Sequence, residues 1–496
     1  MSEGSTIRRI LIANRGEIAR RILRTLKRLQ IESVAIYHAV DQASPFVSEA
    51  DIACEIGGDT PTAAYLDIQQ IIDLAVTNEV DAIHPGYGFL AENGDFAEAV
   101  SHAGISFIGP PASVIRLLGD KVTSREFVAK HNFPLAPSVP DQSDAAQLLA
   151  AAEEIGFPVL IKAAAGGGGK GMHIVHAAED FPAAFQLASS EALRFFGDDR
   201  VYCEKYLVNP RHIEVQVLAD AKGNYVHLGE RECSIQRRFQ KIIEETPAPN
   251  LTADTREKIC ATAVNIAAAA GYTNAGTVEF IMGADEEFYF LEMNTRLQVE
   301  HPVTEMTTGI DLVEQQIRVA EGAELPFTQN DIKFCGHAIE LRICAEDPNN
   351  DFFPATGKVA FLQEPDGDGI RVDSALGIGT EISTAFDPML LKLIAHGDSR
   401  DIARKRLIAA LNNQVILGVT TNSNFLTRIL QHPQFVAGHT HTHFIPEHGE
   451  TLHAQALEDE ELVALLATAA LGDPDFVAAL ERIPVPHRLI GHWRNN

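Results

Sequence analysis

The sequence has few cysteines, no long apolar run and a shortage of basic residues. Its six cysteines are scattered and form no CxxC pair, so they suit reduced thiols in the cytoplasm and give no zinc signal. No apolar run approaches the roughly 18 residues that a membrane span needs, and the N-terminus has no apolar signal-peptide core. We therefore expect a cytoplasmic protein without a membrane anchor.

The charge balance limits the partners that this chain can bind. Lys and Arg number 40 against 68 Asp and Glu, for a net charge of −28, which argues against nucleic acid or anionic membrane as a partner. A phosphate site would have to be built locally, from Lys, Arg and backbone N–H groups. With 496 residues, 46% hydrophobic and 22% charged, the chain is expected to be a soluble globular protein of roughly three domains.

The N-terminal stretch predicts a parallel α/β sheet. An apolar strand at 9–13 is followed by an amphipathic helix and a second strand at 33–37, which is a βαβ pattern. The single Gly16 after the first strand is too weak for a dinucleotide fingerprint, which needs GxGxxG. Glycines at 86 and 88 follow another strand and favour a close approach of backbone to ligand, although an ordinary βα turn is the alternative.

A glycine-rich stretch lies between two predicted strands. Four consecutive glycines, Gly166–Gly169, and Lys170 follow a strand at 157–162 that ends in Lys162. Their N–H groups suit a flap that closes over phosphates. A Walker A loop is excluded because Gly171, and no Ser or Thr, follows Lys170. A disordered linker is the alternative, which the flanking strands and lysines disfavour.

An acidic hairpin is predicted near residue 285. Runs at 277–281 and 288–294 read as strands joined by a turn, and Glu292 and Asn294 share one face of the second strand. If the strands pair, Glu279 joins them and the cluster offers the hard oxygen ligands that suit Mg²⁺ beside nucleotide phosphates. The alternative is a surface hairpin with acidic residues on its solvated face.

Two further patterns have competing interpretations. Arg237, Arg238 and Lys241 lie within five positions, and we favour an anion site over a solvated basic face. Alternating histidines at His439, His441 and His443 suggest a metal site, but no acidic or cysteine residue lies close by in the sequence, so we expect none there.

Taken in order, several of these motifs resemble biotin carboxylase of the ATP-grasp superfamily. The likeness includes IANRGE, HPGYGFLAEN, the glycine-rich stretch, EKYL, QRRFQK and EMNTRLQVEHPVTE, and it covers about nine-tenths of the chain. The resemblance implies an α/β ATP-grasp fold with an N-terminal Rossmann-like domain and a C-terminal α+β domain. The implied domains are 1–120, the ATP-grasp region 121–335 with a mobile lid at about 134–206, the C-terminal domain 336–450 and a helical extension 451–496.

The resemblance also assigns roles to individual residues. ATP would be contacted by Lys121, Lys162, Gly168, Gly169, Glu204, Lys205, Tyr206, Leu207, His212 and Gln236. Mg²⁺, or in some states Mn²⁺, would be held by Glu279, Glu292 and Asn294. Bicarbonate would be held by Lys241, Arg296, Gln298 and the backbone of Val299, with Glu300 as its base and Arg342 on the ureido oxygen of biotin.

The implied reaction is the carboxylation of biotin by ATP and bicarbonate through carboxyphosphate, in an acyl-CoA or pyruvate-type carboxylase. The sequence contains no Met-Lys-Met, and none of its six methionines adjoins a lysine. We therefore expect biotin to be borne by a separate biotin carboxyl carrier protein. A carboxyltransferase subunit is the other expected partner, in a homodimer or larger complex.

Two departures from the family pattern leave other interpretations open. Phe239 stands where the family usually has His, and Ala165 stands at the first of the usual five glycines. One alternative is another ATP-grasp ligase that phosphorylates a different acid, which Arg342 and the Arg296–Glu300 spacing disfavour. The other is an inactive scaffold subunit, which the intact acidic and basic site residues disfavour. A role for 451–496 in docking a partner is a hypothesis.

Overall fold

The computed structural model describes residues 6–142, 144–163, 173–196, 199–453 and 468. Residues up to Leu452 form one compact unit, and those from His453 onward form a second unit. The glycine-rich stretch, with Gly168 and Gly169, lies outside the described residues, and so does the expected helical extension 451–496 apart from residues 451–453 and 468. Among the described residues, no helix has both the length and the apolar character for crossing a membrane.

The N-terminal part is a parallel sheet with helices on its faces, as the βαβ pattern predicts. Its strands are β1 (Arg9–Ile12), β2 (Glu32–His38), β3 (Ile52–Ile56), β4 (Ala82–His84) and β5 (Ser106–Phe107), in the order β3-β2-β1-β4-β5. Its helices are α1 (Gly16–Leu29), α2 (Pro45–Glu49), α3 (Pro61–Ala64), α4 (Ile68–Thr77), α5 (Gly94–His102) and α6 (Ala112–Gly119). Helix α1 buries Ile18, Ile22 and Leu26 because they recur at the helical period.

A smaller antiparallel sheet follows helix α7 (Lys121–Lys130). It consists of β6 (Ser138–Gln142), β7 (Val159–Ala163), β8 (His173–Val175) and β9 (Val201–Lys205), in the order β6-β9-β7-β8. It is accompanied by α8 (Ala145–Ile155) and α9 (Phe181–Phe196). Asp144 caps α8 by accepting hydrogen bonds from the backbone N–H groups of Ala146 and Gln147. The predicted strands on either side of the glycine-rich stretch are confirmed.

The largest sheet has eight antiparallel strands in the order β14-β13-β10-β11-β12-β15-β22-β20. These strands are β10 (Arg211–Ala219), β11 (Tyr225–Arg237), β12 (Gln240–Thr246), β13 (Asn274–Met282), β14 (Phe288–Asn294), β15 (His337–Cys344), β20 (Ile370–Ser374) and β22 (Met389–Gly397). The predicted hairpin is β13–β14, in which Glu279 lies opposite Glu292 and Thr277 opposite Asn294. The antiparallel pairing that the alternating sequence predicts is therefore confirmed.

Helices and short strands complete the fold. The helices are α10 (Ala253–Ala269), α11 (His301–Thr308), α12 (Leu312–Ala320), α13 (Arg400–Asn413), α14 (Ser423–Gln431), α15 (Pro433–Val436) and α16 (Phe444–Leu452). The short strands are β16 (Glu346–Asp347), β17 (Phe353–Pro354), β18 (Gly357–Lys358), β19 (Phe361–Gln363), β21 (Glu381–Ile382) and β23 (Val415–Leu417).

Strand alternation divides the large sheet into an apolar and a charged face. On β15, Ile339 and Leu341 belong to a core cluster that also contains Leu407 of α13. Glu340 and Arg342 alternate with them and so point to the opposite face. This second face carries the polar site described next.

Candidate active site

The charged face of the large sheet brings together side chains that are far apart in the sequence. Cross-strand pairing places Glu279 of β13 opposite Glu214 of β10, and Glu214 opposite Arg231 of β11. Directly opposite residues in a sheet have their side chains on the same face. The pairing therefore creates a row of charges, to which Lys241 of β12 and Arg342 of β15 add cations.

Lys241 lies at the centre of this row. Its Nζ donates to Glu214 Oε2 at 2.5 Å, Glu279 Oε1 at 2.8 Å and Glu300 Oε1 at 2.8 Å. Burial favours the neutral amine, but these three carboxylates outweigh it and raise the pKa of Lys241 well above its ordinary value. Lys241 is therefore a fixed cation.

Glu300 is the carboxylate that joins Lys241 to Arg342. It precedes helix α11, and its Oε2 accepts from Arg342 Nη2 at 3.0 Å. Arg342 Nε also donates to Glu244 Oε1 at 2.6 Å. Burial would raise the pKa of Glu300, but Lys241, Arg342 and Arg231 hold it well below its usual range. Glu300 is thus ionised at neutral pH.

The loop after β14 holds a second basic group. Arg296 donates from Nε to Glu92 Oε2 at 2.7 Å, from Nη2 to Asn294 Oδ1 at 2.9 Å and from Nη1 to Gln298 Oε1 at 3.0 Å. Glu92 Oε1 also accepts from the backbone N–H of residue 295 at 2.9 Å. Glu92 therefore fixes both the backbone and the guanidinium of this loop.

The expected metal ligands have donor atoms that suit Mg²⁺. Asn294 Nδ2 lies 2.8 Å from Glu279 Oε1, and Glu292 lies opposite Glu279 on the hairpin. His212 Nε2 lies 2.9 Å from Glu279 Oε2, and His212 Nδ1 lies 2.9 Å from Gln236 Nε2. Carboxylate and amide oxygens are hard ligands, so the set fits a magnesium ion with its waters and phosphates better than a soft metal.

The expected nucleotide contacts lie in two places. Lys162 on β7 forms an ion pair with Glu204 on β9, and Lys205 donates to the carbonyl of Gly156 at 2.9 Å. The Tyr206 N–H, next to Leu207 in the sequence, donates to the carbonyl of residue 158 at 3.1 Å. Lys121 lies at the other place, where its Nζ is 3.4 Å from Glu292 Oε2.

A cavity of about 580 Å³ opens beside this cluster. Its lining includes Lys241, Arg296, Val299 and Arg342 from the predicted set. The glycine turn that follows β4 lies on the same wall, with Tyr87, Gly88 and Phe89. The interpretation of this turn as a ligand-approach segment therefore agrees with its position.

The basic run at 237–241 converges only in part, because Arg237 and Lys241 line the same cavity and Arg238 does not. Arg237 forms an ion pair with Glu346, and Arg238 Nη2 donates to Asp351 Oδ2 at 2.6 Å on an exposed surface. The expectation of a joint site is wrong for Arg238, because Arg238 and Phe239 form the two-residue turn between β11 and β12. Both have positive φ, at 49° and 67°, and Phe239 is 85% exposed.

Several residues of the cluster had no role in the sequence interpretation. They are Glu92, Glu214, Arg231, Glu244 and Lys392. A charged residue within an apolar strand was the available signal for Glu214 and Lys392, whereas Arg231 stands between Glu230 and Glu232 and shows no such pattern. Glu92 lies in a loop, where no periodicity marks it.

Comparison with a solved structure identifies the fold class. The biotin carboxylase domain dimer of the Hydrogenobacter thermophilus 2-oxoglutarate carboxylase, solved with MgADP, ADP and bicarbonate, superposes with a TM-score of 0.83 at 43% identity. The match covers 91% of this chain and 100% of that chain. The fold is thus the α/β ATP-grasp fold of an ATP-dependent ligase, with N-terminal and C-terminal domains.

Sequence comparison gives the family. Residues 6–115 match "Biotin carboxylase, N-terminal domain", residues 120–328 match "Carbamoyl-phosphate synthase L chain, ATP binding domain" and residues 340–447 match "Biotin carboxylase C-terminal domain". The alpha subunit of the mitochondrial methylcrotonoyl-CoA carboxylase of Dictyostelium discoideum is 49% identical over 94% of this chain and 67% of its own length. The A subunit of the pyruvate carboxylase of Methanothermobacter thermautotrophicus is 48% identical over 93% of this chain and 95% of its own. The chain therefore belongs to the biotin carboxylase family.

Proposed function

We propose that this chain uses ATP to fix bicarbonate and transfers the carboxyl group to biotin on a separate carrier protein. The observation that carries the proposal is the meeting of Lys241, Glu300 and Arg342 beside a cavity. Glu300 contacts both cations, at 2.8 Å and 3.0 Å. A base held between two cations suits a reaction in which one anion is activated and a second one develops.

Nucleotide binding is assigned to the hairpin and the small sheet. Glu279, Glu292 and Asn294 would hold Mg²⁺ (or Mn²⁺), and the ion would draw charge from the phosphate oxygens of ATP. Lys121, Lys162, His212 and Gln236 would contact ATP, and Glu204 to Leu207 would hold the adenine. Gly168 and Gly169, outside the described residues, would close over the phosphates.

Bicarbonate is assigned to the loop that follows β14. Arg296, Gln298 and the backbone of Val299 would bind it together with Lys241. Glu300 would remove its proton, because bicarbonate is a poor nucleophile until it is deprotonated. Its attack on the γ-phosphate brings two anions together, and Lys241 and Arg296 offset that repulsion. The product, carboxyphosphate, then breaks down to CO₂ and phosphate.

The low pKa of Glu300 is a property of the substrate-free arrangement. Lys241 and Arg342 both donate to Glu300 in this state. When bicarbonate and biotin accept those hydrogen bonds instead, Glu300 loses part of its cationic stabilisation and becomes a stronger base. Substrate entry would thus both position the anion and activate its base.

Biotin is assigned to Arg342. The ureido nitrogen becomes nucleophilic as it loses its proton, which the phosphate released from carboxyphosphate would accept. The ureido oxygen then gains negative charge, and a guanidinium fixed by Glu244 and Glu300 can stabilise that oxyanion. We propose that the final acceptor is an acyl-CoA or a pyruvate-type acid, as the names of the relatives suggest.

The same proposal includes the assembly and its compartment. We infer domains at 1–120, 121–335, 336–450 and 451–496, with a lid at about 134–206, and the matched ranges 6–115, 120–328 and 340–447 support the first three of these domains. The proposed partners are a carrier protein, a second copy of the chain and a carboxyltransferase subunit. The second copy is included because the structural relative is a dimer. Six free cysteines support a reducing compartment, and we propose the cytoplasm.

Arg342→Ala provides the test of this function. The purified chain should hydrolyse ATP only with bicarbonate and should form carboxybiotin from free biotin. In the variant, carboxybiotin formation should fall by about a hundredfold or more, because one oxyanion donor is lost. Bicarbonate-dependent ATP hydrolysis, measured in the same samples without biotin, should largely persist.

Arg238→Ala is the matched control, because this arginine pairs with Asp351 on the surface. It should leave both activities near those of the unmodified chain. Equal loss of both activities in Arg342→Ala would contradict the assignment of this arginine to biotin. ATP hydrolysis that is as fast without bicarbonate would favour another acid as the substrate, and nucleotide binding without turnover would indicate a scaffold.

A further inference from the structure

A histidine-rich segment lies on the surface of the compact unit, outside the catalytic cluster. The sequence has histidines at 439, 441 and 443, and the expectation that they lack an acidic partner is wrong. Helix α16 follows the segment directly and brings Glu447 and His448 back beside His441. His441 and Glu447, which are six positions apart in the sequence, are thus in direct contact.

The side chains of His441, Glu447 and His448 lie close to one another. His441 Nε2 lies 3.2 Å from Glu447 Oε2, and His448 Nε2 lies 4.0 Å from Glu447 Oε1. One ligand atom from each of the three residues lies within 4.8 Å of the other two. The carboxylate therefore stands between two imidazoles.

The backbone around these residues is firmly held. Phe444 is fully buried in the C-terminal core, and its N–H donates to the carbonyl of His441 at 3.0 Å. The Glu447 N–H donates to the carbonyl of residue 443, also at 3.0 Å. On its other side, the His448 ring packs on His432, with ring centroids 4.4 Å apart. The backbone that carries these three side chains is thus held in place by hydrogen bonds and packing.

The spacing suits a tetrahedral transition-metal ion. Zinc binds imidazole nitrogen and carboxylate oxygen at about 2.0–2.2 Å, so two of its ligand atoms lie about 3.4 Å apart. The His441–Glu447 separation of 3.2 Å lies close to this value, and the His448–Glu447 separation of 4.0 Å, which involves the other carboxylate oxygen, is somewhat longer. Small rotations of the two imidazole rings, which are 15% and 19% exposed, would close the set, and water would occupy the fourth position.

We propose that His441, Glu447 and His448 form a binding site for Zn²⁺ or a similar divalent transition metal. The site fastens the segment before α16 to the helix itself. Its ligands lie apart from the proposed bicarbonate and biotin groups, so the inference does not depend on the proposed function.

Zinc titration of the chelator-stripped full chain tests this site. Calorimetry with Zn²⁺ alone should show one more bound equivalent in the unmodified chain than in Glu447→Gln or His441→Ala, or binding at least about tenfold weaker in those variants. Glu447→Gln is the safer variant for folding, because the Glu447 side chain is 50% exposed. Co²⁺ in place of Zn²⁺ should give the strong visible bands of a four-coordinate ion, which both variants should lose.

His439→Ala is the matched control from the same segment. The His439 ring contacts Gln434 Oε1 at 3.0 Å, so its loss should leave zinc binding unchanged. Comparison between variants is needed because other histidine and carboxylate groups lie in the catalytic cluster. Equal zinc stoichiometry and affinity in the unmodified chain, Glu447→Gln and His441→Ala would overturn the proposal.

Discussion

Two buried lysines of the large sheet show how differently the same side chain is used. Lys241 on β12 borders the cavity, where its side chain is 12% exposed and donates to three carboxylates. Lys392 on β22 is fully buried. It donates to the carbonyl of Val299 at 2.9 Å and lies 3.2 Å from Glu17.

Each of the three carboxylates that contact Lys241 also contacts another side chain. Glu214 also pairs with Arg231, Glu300 with Arg342 and Glu279 with His212. Under the proposed function, this redundancy would let Lys241 turn toward bicarbonate without leaving a buried carboxylate alone.

Lys392 has no such freedom. Within the described residues, it supplies the ion pair of Glu17 and the hydrogen bond to the Val299 carbonyl. Val299 immediately precedes Glu300, so Lys392 fixes the backbone of the proposed bicarbonate loop. We infer that a charged side chain whose partners have other contacts can change partners during the reaction. A charged side chain whose partners have no other contact fixes the backbone instead.

The largest expected effect comes from exchanging each lysine for Met. Lys392→Met leaves the buried Val299 carbonyl without its donor and lets Glu17 take up a proton, and we expect a loss of about 1–3 kcal/mol in the free energy of unfolding. Lys241→Met should lose less stability, because its carboxylates keep Arg231, Arg342 and His212. It should instead lose bicarbonate-dependent ATP hydrolysis by about a hundredfold or more.

Urea denaturation and ATP hydrolysis of both variants measure this contrast. Lys392→Arg serves as a control that keeps the charge and should recover part of the lost stability. Similar losses of stability in Lys241→Met and Lys392→Met would show that the redundancy around Lys241 has no energetic meaning.

The sequence predicted those parts of the structure that depend on local patterns. The hairpin at 274–294 was predictable because strand alternation and a turn signal occur within some twenty residues. The parallel N-terminal sheet was predictable from its βαβ pattern for the same reason. The roles of Lys241, Arg296 and Arg342 came from family resemblance, and they remain predictions.

The supporting contacts were out of reach because they join distant segments without a periodic signal. Glu92 and Arg296 are 204 positions apart, and Lys392 and Val299 are 93 positions apart. In each pair, the residues next to one partner in the sequence give no indication of the other partner. The pairing of His441 with Glu447 was missed for a related reason, since it depends on how α16 turns back on the preceding segment.

A smaller effect is expected from the titration of Glu17, the partner of Lys392. Burial, opposed by Lys392, raises the pKa of Glu17 from 4.5 to about 7. The folded state therefore binds this proton more tightly than the unfolded state. The resulting stabilisation is complete below about pH 4.5 and is lost as the pH rises through about 7.

Glu17→Gln removes that titration. The Tm of the unmodified chain should fall relative to that of Glu17→Gln between pH 4.5 and pH 7.5, as measured by thermal unfolding at several pH values. A constant difference across this range would mean that Glu17 stays ionised in the folded chain. Its pairing with Lys392 would then be stronger than proposed.

The smallest expected effect lies on the exposed turn between β11 and β12, where replacement should cost little. Phe239 is 85% exposed on a turn with φ 67°, a conformation that His adopts more readily than most residues. Phe239→His should therefore fold normally. It should also tighten ATP binding by about twofold to tenfold, which one added hydrogen bond explains. Phe239→Leu, which adds no donor, should bind ATP as the unmodified chain does. Weaker ATP binding in both variants, measured by calorimetry, would show that the Phe239 ring itself packs on the nucleotide.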